Sequence, residues 1–264
     1  MAIELKNVSY KYKKINYSSN LVLNNINMKF MDGKITSIIG SYKSTLLEII
    51  FGEIIDFSGE LIRDTNKIGY VSQNIYDNYV CDIVYEEMLN NFDLEKTNID
   101  NCHKKILNSL IMVELDSTYL KRRINTLSSS ELRKLNLAIA LLNNPKVVIL
   151  DEANADLDDK ALKNLIKIIR ILKNRYHKTI IVASNDIEFI HQISDYIYVL
   201  DNNKVILEGK KYDVFKKVDI LKKSHIKIPN VMLFSYLTFK QKKIKLGYRD
   251  DINDLIKDIY RNIK

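Results

Sequence analysis

Two stretches, "KVVILDE" (146–152) and "KTIIVASND" (178–186), are unbroken apolar runs that end in polar residues. A strand wetted on one side alternates, whereas a run apolar at every position fits a strand covered on both faces, as in parallel sheets. Between them, "KALKNLIKIIRILK" (160–173) repeats its apolar residues at helical spacing. Strand, helix and strand in that order predict an α/β fold with crossover helices on the sheet.

Upstream, "IELKNVSYKY" (3–12) and "LVLNNINMKF" (21–30) alternate as two strands joined by the polar loop "KKINYSSN". "MDGKITSIIG" predicts a turn at Asp32-Gly33 and a third strand ending at Gly40, with a short helix over 44–52. "SGELIRD" and "KIGYVSQ" add strands, with Gln73 at the end of the second. Residues 78–124 read as helical, and a further helix follows "TLSSSE" and stops near Pro145. "DYIYVLDNNKVILEG" reads as a hairpin around Asn202-Asn203. Beyond about residue 220 the chain reads as polar and irregular until "RDDINDLIKDIYRNIK". There Ile252, Leu255, Ile256, Ile259 and Tyr260 share one helical face, with acids first and bases last.

At 264 residues, 46% hydrophobic and 28% charged, the chain can bury a substantial core and has the composition of a soluble globular protein. No apolar run approaches the roughly 18 residues of a membrane helix. The start, "MAIELKNVSYKYKK", lacks an apolar core segment, so no secretory signal is expected. Cys81 and Cys102 fit no metal-ligand spacing and suggest a reducing cytosol. The net charge of +8 is spread along the whole chain, which fits a solvated lysine-rich surface better than a nucleic-acid stripe.

The junction "ITSIIGSYKSTLLEII" (35–50) runs from a buried strand through a short loop into a helix. A phosphate loop uses G-x-x-x-x-G-K-[ST], so that consecutive backbone N–H groups curl around two phosphates. Here only Ser41 and Tyr42 separate Gly40 from Lys43 where that pattern places five residues. Lys43 is placed to meet the terminal phosphates of a nucleotide, and Ser44 to ligate Mg²⁺. In "VVILDE", Asp151 is placed to hold Mg²⁺ through water and Glu152 to polarise an attacking water. Ser128-x-x-Glu131 is a capping box, which either simply starts a helix or points a positive helix end at a phosphate.

A truncated "GSYKST", then "YVSQ", "LSSSELRKLNLAIALLNNPKVVILDEANADLD" and "TIIVASND", closely resembles the nucleotide-binding subunit of ATP-binding cassette (ABC) transporters over roughly residues 1–215. The resemblance implies a P-loop NTPase core with a mixed sheet, an antiparallel β subdomain and a helical subdomain at about 78–145. It implies an ATP-binding domain over 1–219 and a nucleotide site made by Tyr12 (stacking on adenine), Gly40, Ser41, Lys43, Ser44, Thr45 and Gln73. Ser44, Gln73 and Asp151 match the Mg²⁺ site, Glu152 the catalytic carboxylate and Asp158 the D-loop aspartate. Ser128, Ser129 and Ser130 match the signature that reaches the γ-phosphate held by the opposite subunit. The tail, with "DVF", "IP" and the last amphipathic helix, resembles the extension of energy-coupling-factor (ECF) transporter ATPases. That makes 220–264 a helical extension and a candidate subunit-pairing element.

Departures from the family's pattern fall on its site. The phosphate loop is three residues short, with Tyr42 at the place of a glycine that needs φ > 0. Ser130 replaces the signature's second glycine, and Asn185 stands at the switch-histidine position. Ala153 and Asp156 replace Pro and Gly, and His191 is no substitute for the missing histidine. The resemblance therefore implies an ATP- and Mg²⁺-binding subunit of an ECF-type importer of vitamins or metal ions, with weak nucleotide binding and impaired hydrolysis. The alternative is a non-hydrolysing partner that supports an intact ATPase. Expected partners are a second ABC subunit, preferably a different chain, and a transmembrane coupling subunit at the cytoplasmic membrane face. A DNA-repair or translation role fits less well, and no direct nucleic-acid contact is expected.

Overall fold

The computed structural model describes residues 3–12, 21–65, 67–74, 79–92, 98–244, 246–247 and 252–262. It begins β1 (Ile3–Lys11), β2 (Leu21–Phe30), β3 (Ile35–Gly40), α1 (Lys43–Phe51), β4 (Ser58–Arg63), β5 (Ile68–Val71). Next come α2 (Val84–Asn90), α3 (Ile99–Met112), two 3₁₀ turns, α4 (Ser129–Leu141), β6 (Val147–Asp151), α5 (Asp159–Asn174) and β7 (Thr179–Ala183). The remainder is α6 (Ile187–Ile193), β8 (Tyr196–Asp201), β9 (Lys204–Lys210), α7 (Lys211–Phe215), α8 (Val218–Lys223), α9 (Asn230–Lys242) and α10 (Ile252–Asn262).

The strands form two sheets. One is three-stranded and antiparallel, in the order β2-β1-β4. The other is six-stranded, in the order β5-β6-β7-β3-β8-β9, parallel except for the β8–β9 hairpin. The apolar runs become β6 and β7, buried at all five positions each, as a sheet covered on both faces requires. Alternation then divides each run between two cores. Val148, Leu150, Ile180 and Val182 pack with the helices α3 to α6. Val147, Ile149, Ile181 and Ala183 pack with α1 and the antiparallel sheet. Each fully buried Ile, Val or Leu contributes about 1.5–3 kcal/mol.

The sheet-facing stripe of α5 is Leu165, Ile168, Ile169 and Leu172, all buried, and Asp158 caps the helix by accepting from Ala161 N–H at 2.7 Å. The hairpin turns at Asn202 and Asn203, both with positive φ, as a two-residue connection demands.

Two expectations change. The strand in "KIGYVSQ" ends at Val71, so Gln73 sits two residues beyond it, exposed. The tail is not irregular: α8 and α9 occupy it before α10. On α10, Leu255 is buried, but Ile256 and Tyr260 are exposed, so the apolar stripe is only partly covered. Within 78–124 the described helices are α2 and α3 with the 3₁₀ turns; residues 78 and 93–97, like the loop 13–20, lie outside the described residues.

Candidate functional site

Because β6, β7 and β3 are neighbours, their carboxyl ends open side by side, the edge at which open α/β sheets take ligands. Gly40 ends β3, Asp151 ends β6, and Asn185 follows β7 by two residues. Gly40 must be glycine: its φ is +107°, and a Cβ would stand 1.8 Å from the Leu200 carbonyl oxygen. The next amide, of Ser41, is donated to that same oxygen at 3.4 Å. Tyr42 then takes φ +57° to swing the chain into α1. A left-handed non-glycine residue costs roughly 1–2 kcal/mol. The whole connection is two residues long, and its amides form no extended arc.

Lys43 points back under this turn and is only 7% exposed. Its ammonium donates to the Gly40 carbonyl at 2.9 Å and to Asn185 Oδ1 at 2.8 Å. Glu152 Oε1 lies 3.5 Å away, as an ion-pair partner. An ammonium has three donors, and here three acceptors of its own chain face it. Glu152 itself has φ +46°, and its Oε2 accepts the Asn185 N–H at 3.2 Å.

Asp151 is buried beside this cluster. Burial pushes its carboxyl pKa above the ordinary value, opposed by the Ser44 hydroxyl and reinforced by the charge of Glu152. Its Oδ2 accepts from the Tyr70 hydroxyl at 3.4 Å, while Oδ1 is buried with no hydrogen-bond partner among the described residues. A buried carboxylate oxygen without a donor, next to a serine hydroxyl, suits a divalent cation. The residues therefore fit Mg²⁺ through Asp151 and Ser44. Toward phosphate they offer Lys43 and the first amides of α1 without a surrounding loop.

The structure brings Gly40, Ser41, Lys43, Ser44, Asp151, Glu152 and Asn185 together. Tyr12 joins them through its hydroxyl, 2.7 Å from Thr45 Oγ1, with its ring edge-on to Tyr10. Ser128, Ser129 and Ser130 instead open α4. Ser128 Oγ accepts from Glu131 N–H at 3.3 Å, and Glu131 Oε2 accepts from Ser128 N–H at 2.8 Å, completing the expected capping box. Asp158 spends one oxygen on capping α5.

Two supporting groups are absent from the sequence reading. Tyr70 is one. The other is Asn154, whose Oδ1 accepts from Ser184 Oγ at 2.8 Å and whose amide reaches Asp186 Oδ2 at 3.5 Å. This bridge clamps the residues on either side of Asn185. Strand parity carried a signal for Tyr70, since it lies opposite Ile149 and so on the face of Asp151.

Residues 23–155 match the family described as ABC transporter. The chain belongs to the ABC transporter family. Its relatives include the energy-coupling factor transporter ATP-binding protein EcfA2 of Clostridium perfringens, 31% identical over 255 residues, covering 88% of this chain and 87% of the relative. EcfA2 of Streptococcus pyogenes serotype M5 is 28% identical over 250 residues, covering 88% and 89%. Among solved structures, CbiO1 of Clostridium perfringens, described as part of the ABC transporter complex CbiONQ, superposes with TM-score 0.71 at 25% identity, covering 88% of this chain and 98% of that one. The cassette MJ0796, as a post-hydrolysis dimer bound to ADP and Pi, gives 0.68 at 27% identity, covering 79% and 98%. The mixed sheet with an antiparallel companion is thus the ABC ATPase fold, and nucleotide binding is the family's property. No helix among the described residues is long and apolar enough to cross a membrane.

Proposed function

We propose that this chain is a cassette subunit of an ECF-type importer whose own ATP hydrolysis is impaired. It binds ATP and Mg²⁺ weakly, pairs with a second cassette subunit and acts on a transmembrane coupling subunit from the cytoplasmic face. The carrying observation is Lys43, whose ammonium is engaged by Gly40, Asn185 and Glu152 behind a two-residue turn. A phosphate competes with these acceptors for the ammonium. Each lost charge-assisted hydrogen bond costs roughly 1.5–3 kcal/mol. Glu152 Oε2 accepts the Asn185 N–H, while Oε1 stands 3.5 Å from the Lys43 ammonium, buried and without a hydrogen-bond partner among the described residues.

Mg²⁺, when bound, supplies the positive charge that joins carboxylate to phosphates. Asp151 and Ser44 would hold it, and Lys43 would meet the phosphates once released. Likeness to EcfA2 and CbiO1 supports the ECF assignment, and the MJ0796 dimer supports pairing. A differing partner with an intact phosphate loop would supply the hydrolysis this chain lacks, which favours a heterodimer. Phe234 and Leu237, exposed on α9, support a pairing role for the extension.

Affinity purification from native membranes tests the assignment. Co-recovery of a membrane protein and a second cassette subunit is expected, and recovery only as a free monomer contradicts it. The non-hydrolysing alternative has one distinguishing sign: turnover of the assembled complex that is unchanged by Glu152→Gln in this chain.

A further inference from the structure

We propose that Tyr70 is a positioning residue that holds Asp151 in the rotamer needed to present one oxygen to a divalent cation. The inference deepens the reading of Asp151 as a cation-holding residue and rests on it.

The geometry has three parts. First, β5 and β6 are parallel, with Tyr70 opposite Ile149 and Val71 opposite Leu150. Side chains alternate along a strand, so Asp151, two residues past Ile149, returns to the face that Tyr70 occupies. Second, the Tyr70 ring is fixed by stacking on Phe51, the last residue of α1, with centroids 5.0 Å apart and planes 24° from parallel. Ser44 is the second residue of the same helix, so one element carries both the support for Tyr70 and the hydroxyl beside Asp151. Third, the Tyr70 hydroxyl reaches Asp151 Oδ2 at 3.4 Å while Oδ1 is left buried and unpartnered.

A carboxylate with one oxygen held and one buried without a donor has its free lone pairs aimed by the other contact. Removing the hydroxyl while keeping the ring takes away one of the two hydroxyls that face Asp151, the other being that of Ser44, with no loss of packing at Phe51.

The plain alternative is that Tyr70 only fills space between α1 and the sheet. Tyr70→Phe separates the two, because phenylalanine preserves the stacking. The full chain is titrated with Mn²⁺ alone, then with Mn²⁺ and excess ADP, and free Mn²⁺ is read by electron paramagnetic resonance. Tyr70→Phe, Asp151→Asn and the double variant are compared with the parent, alongside cation-free thermal unfolding.

Tyr70→Phe is expected to weaken Mn²⁺ binding about three- to ten-fold, the range for a long hydrogen bond to a charged group. Its cation-free midpoint should stay close to the parent's, and the double variant should bind no worse than Asp151→Asn alone. Parent-like Mn²⁺ affinity in Tyr70→Phe, with binding lost in Asp151→Asn, overturns the positioning role and leaves the cation site standing. Undetectable binding in the parent, or binding unaltered by Asp151→Asn, overturns the cation site and the inference with it.

Discussion

The ammonium of Lys43 and the amide oxygen of Asn185 lie 2.8 Å apart, joining the segments that leave the neighbouring strands β3 and β7. A neutral amide serves here as acceptor for the lysine ammonium that phosphates would need. Lys43 is buried while Asn185 is exposed, so the contact closes the buried ammonium off at the surface, next to the Asn154–Ser184 bridge.

Asn185→Ala removes one of the three acceptors around Lys43. Stability without nucleotide should fall by no more than about 1 kcal/mol, since Lys43 keeps the Gly40 carbonyl and water can replace the exposed amide. Affinity for Mg·ATP should rise a few-fold, because less must be displaced. Urea unfolding and equilibrium titration check both. A fall in affinity would mean that Asn185 contacts the nucleotide rather than restraining the lysine.

Tyr42→Gly relieves a left-handed residue that is 45% exposed. The expected gain is up to about 1 kcal/mol, after subtracting glycine's larger unfolded-state entropy. Urea unfolding at fixed pH measures it. A clear loss of stability would show that the tyrosine ring anchors the turn.

Glu131 sets a pH dependence. Burial alone would raise its carboxyl pKa, yet hydrogen bonds from Ser128, Tyr119 and Arg122 outweigh it and hold the value down to about 2. A depressed carboxylate stabilises the fold above its ordinary pKa of 4.5, and the contribution fades as pH falls toward 2. Glu131→Gln should therefore cost about 1 kcal/mol at pH 7, with solvent screening allowed for. Near pH 3 most of that difference should vanish. Unfolding curves at the two pH values decide it, and an equal difference at both would remove the charge from the explanation.

The sequence made some of this fold plain for identifiable reasons. β6 and β7 were legible because sheet strands buried on both faces show no alternation, and the β8–β9 turn because paired asparagines tolerate positive φ. α9 was not. Its apolar residues, Val231, Met232, Leu233, Phe234, Tyr236, Leu237 and Phe239, are spread around the helix, so no single stripe marks it. At the site, residue types and order located Lys43, Asp151 and Glu152, because backbone elements place them. The Lys43–Asn185 and Asn154–Ser184 contacts span 142 and 30 residues and depend on which strands are neighbours. A linear reading assigns types to loops, but not the partner across the sheet.

The most direct measurement is equilibrium titration of the purified chain with Mg·ATP, paired with phosphate release. The expected result is binding much weaker than that of a cassette with a full-length phosphate loop, and negligible turnover. Micromolar affinity together with turnover abolished by Glu152→Gln would contradict it.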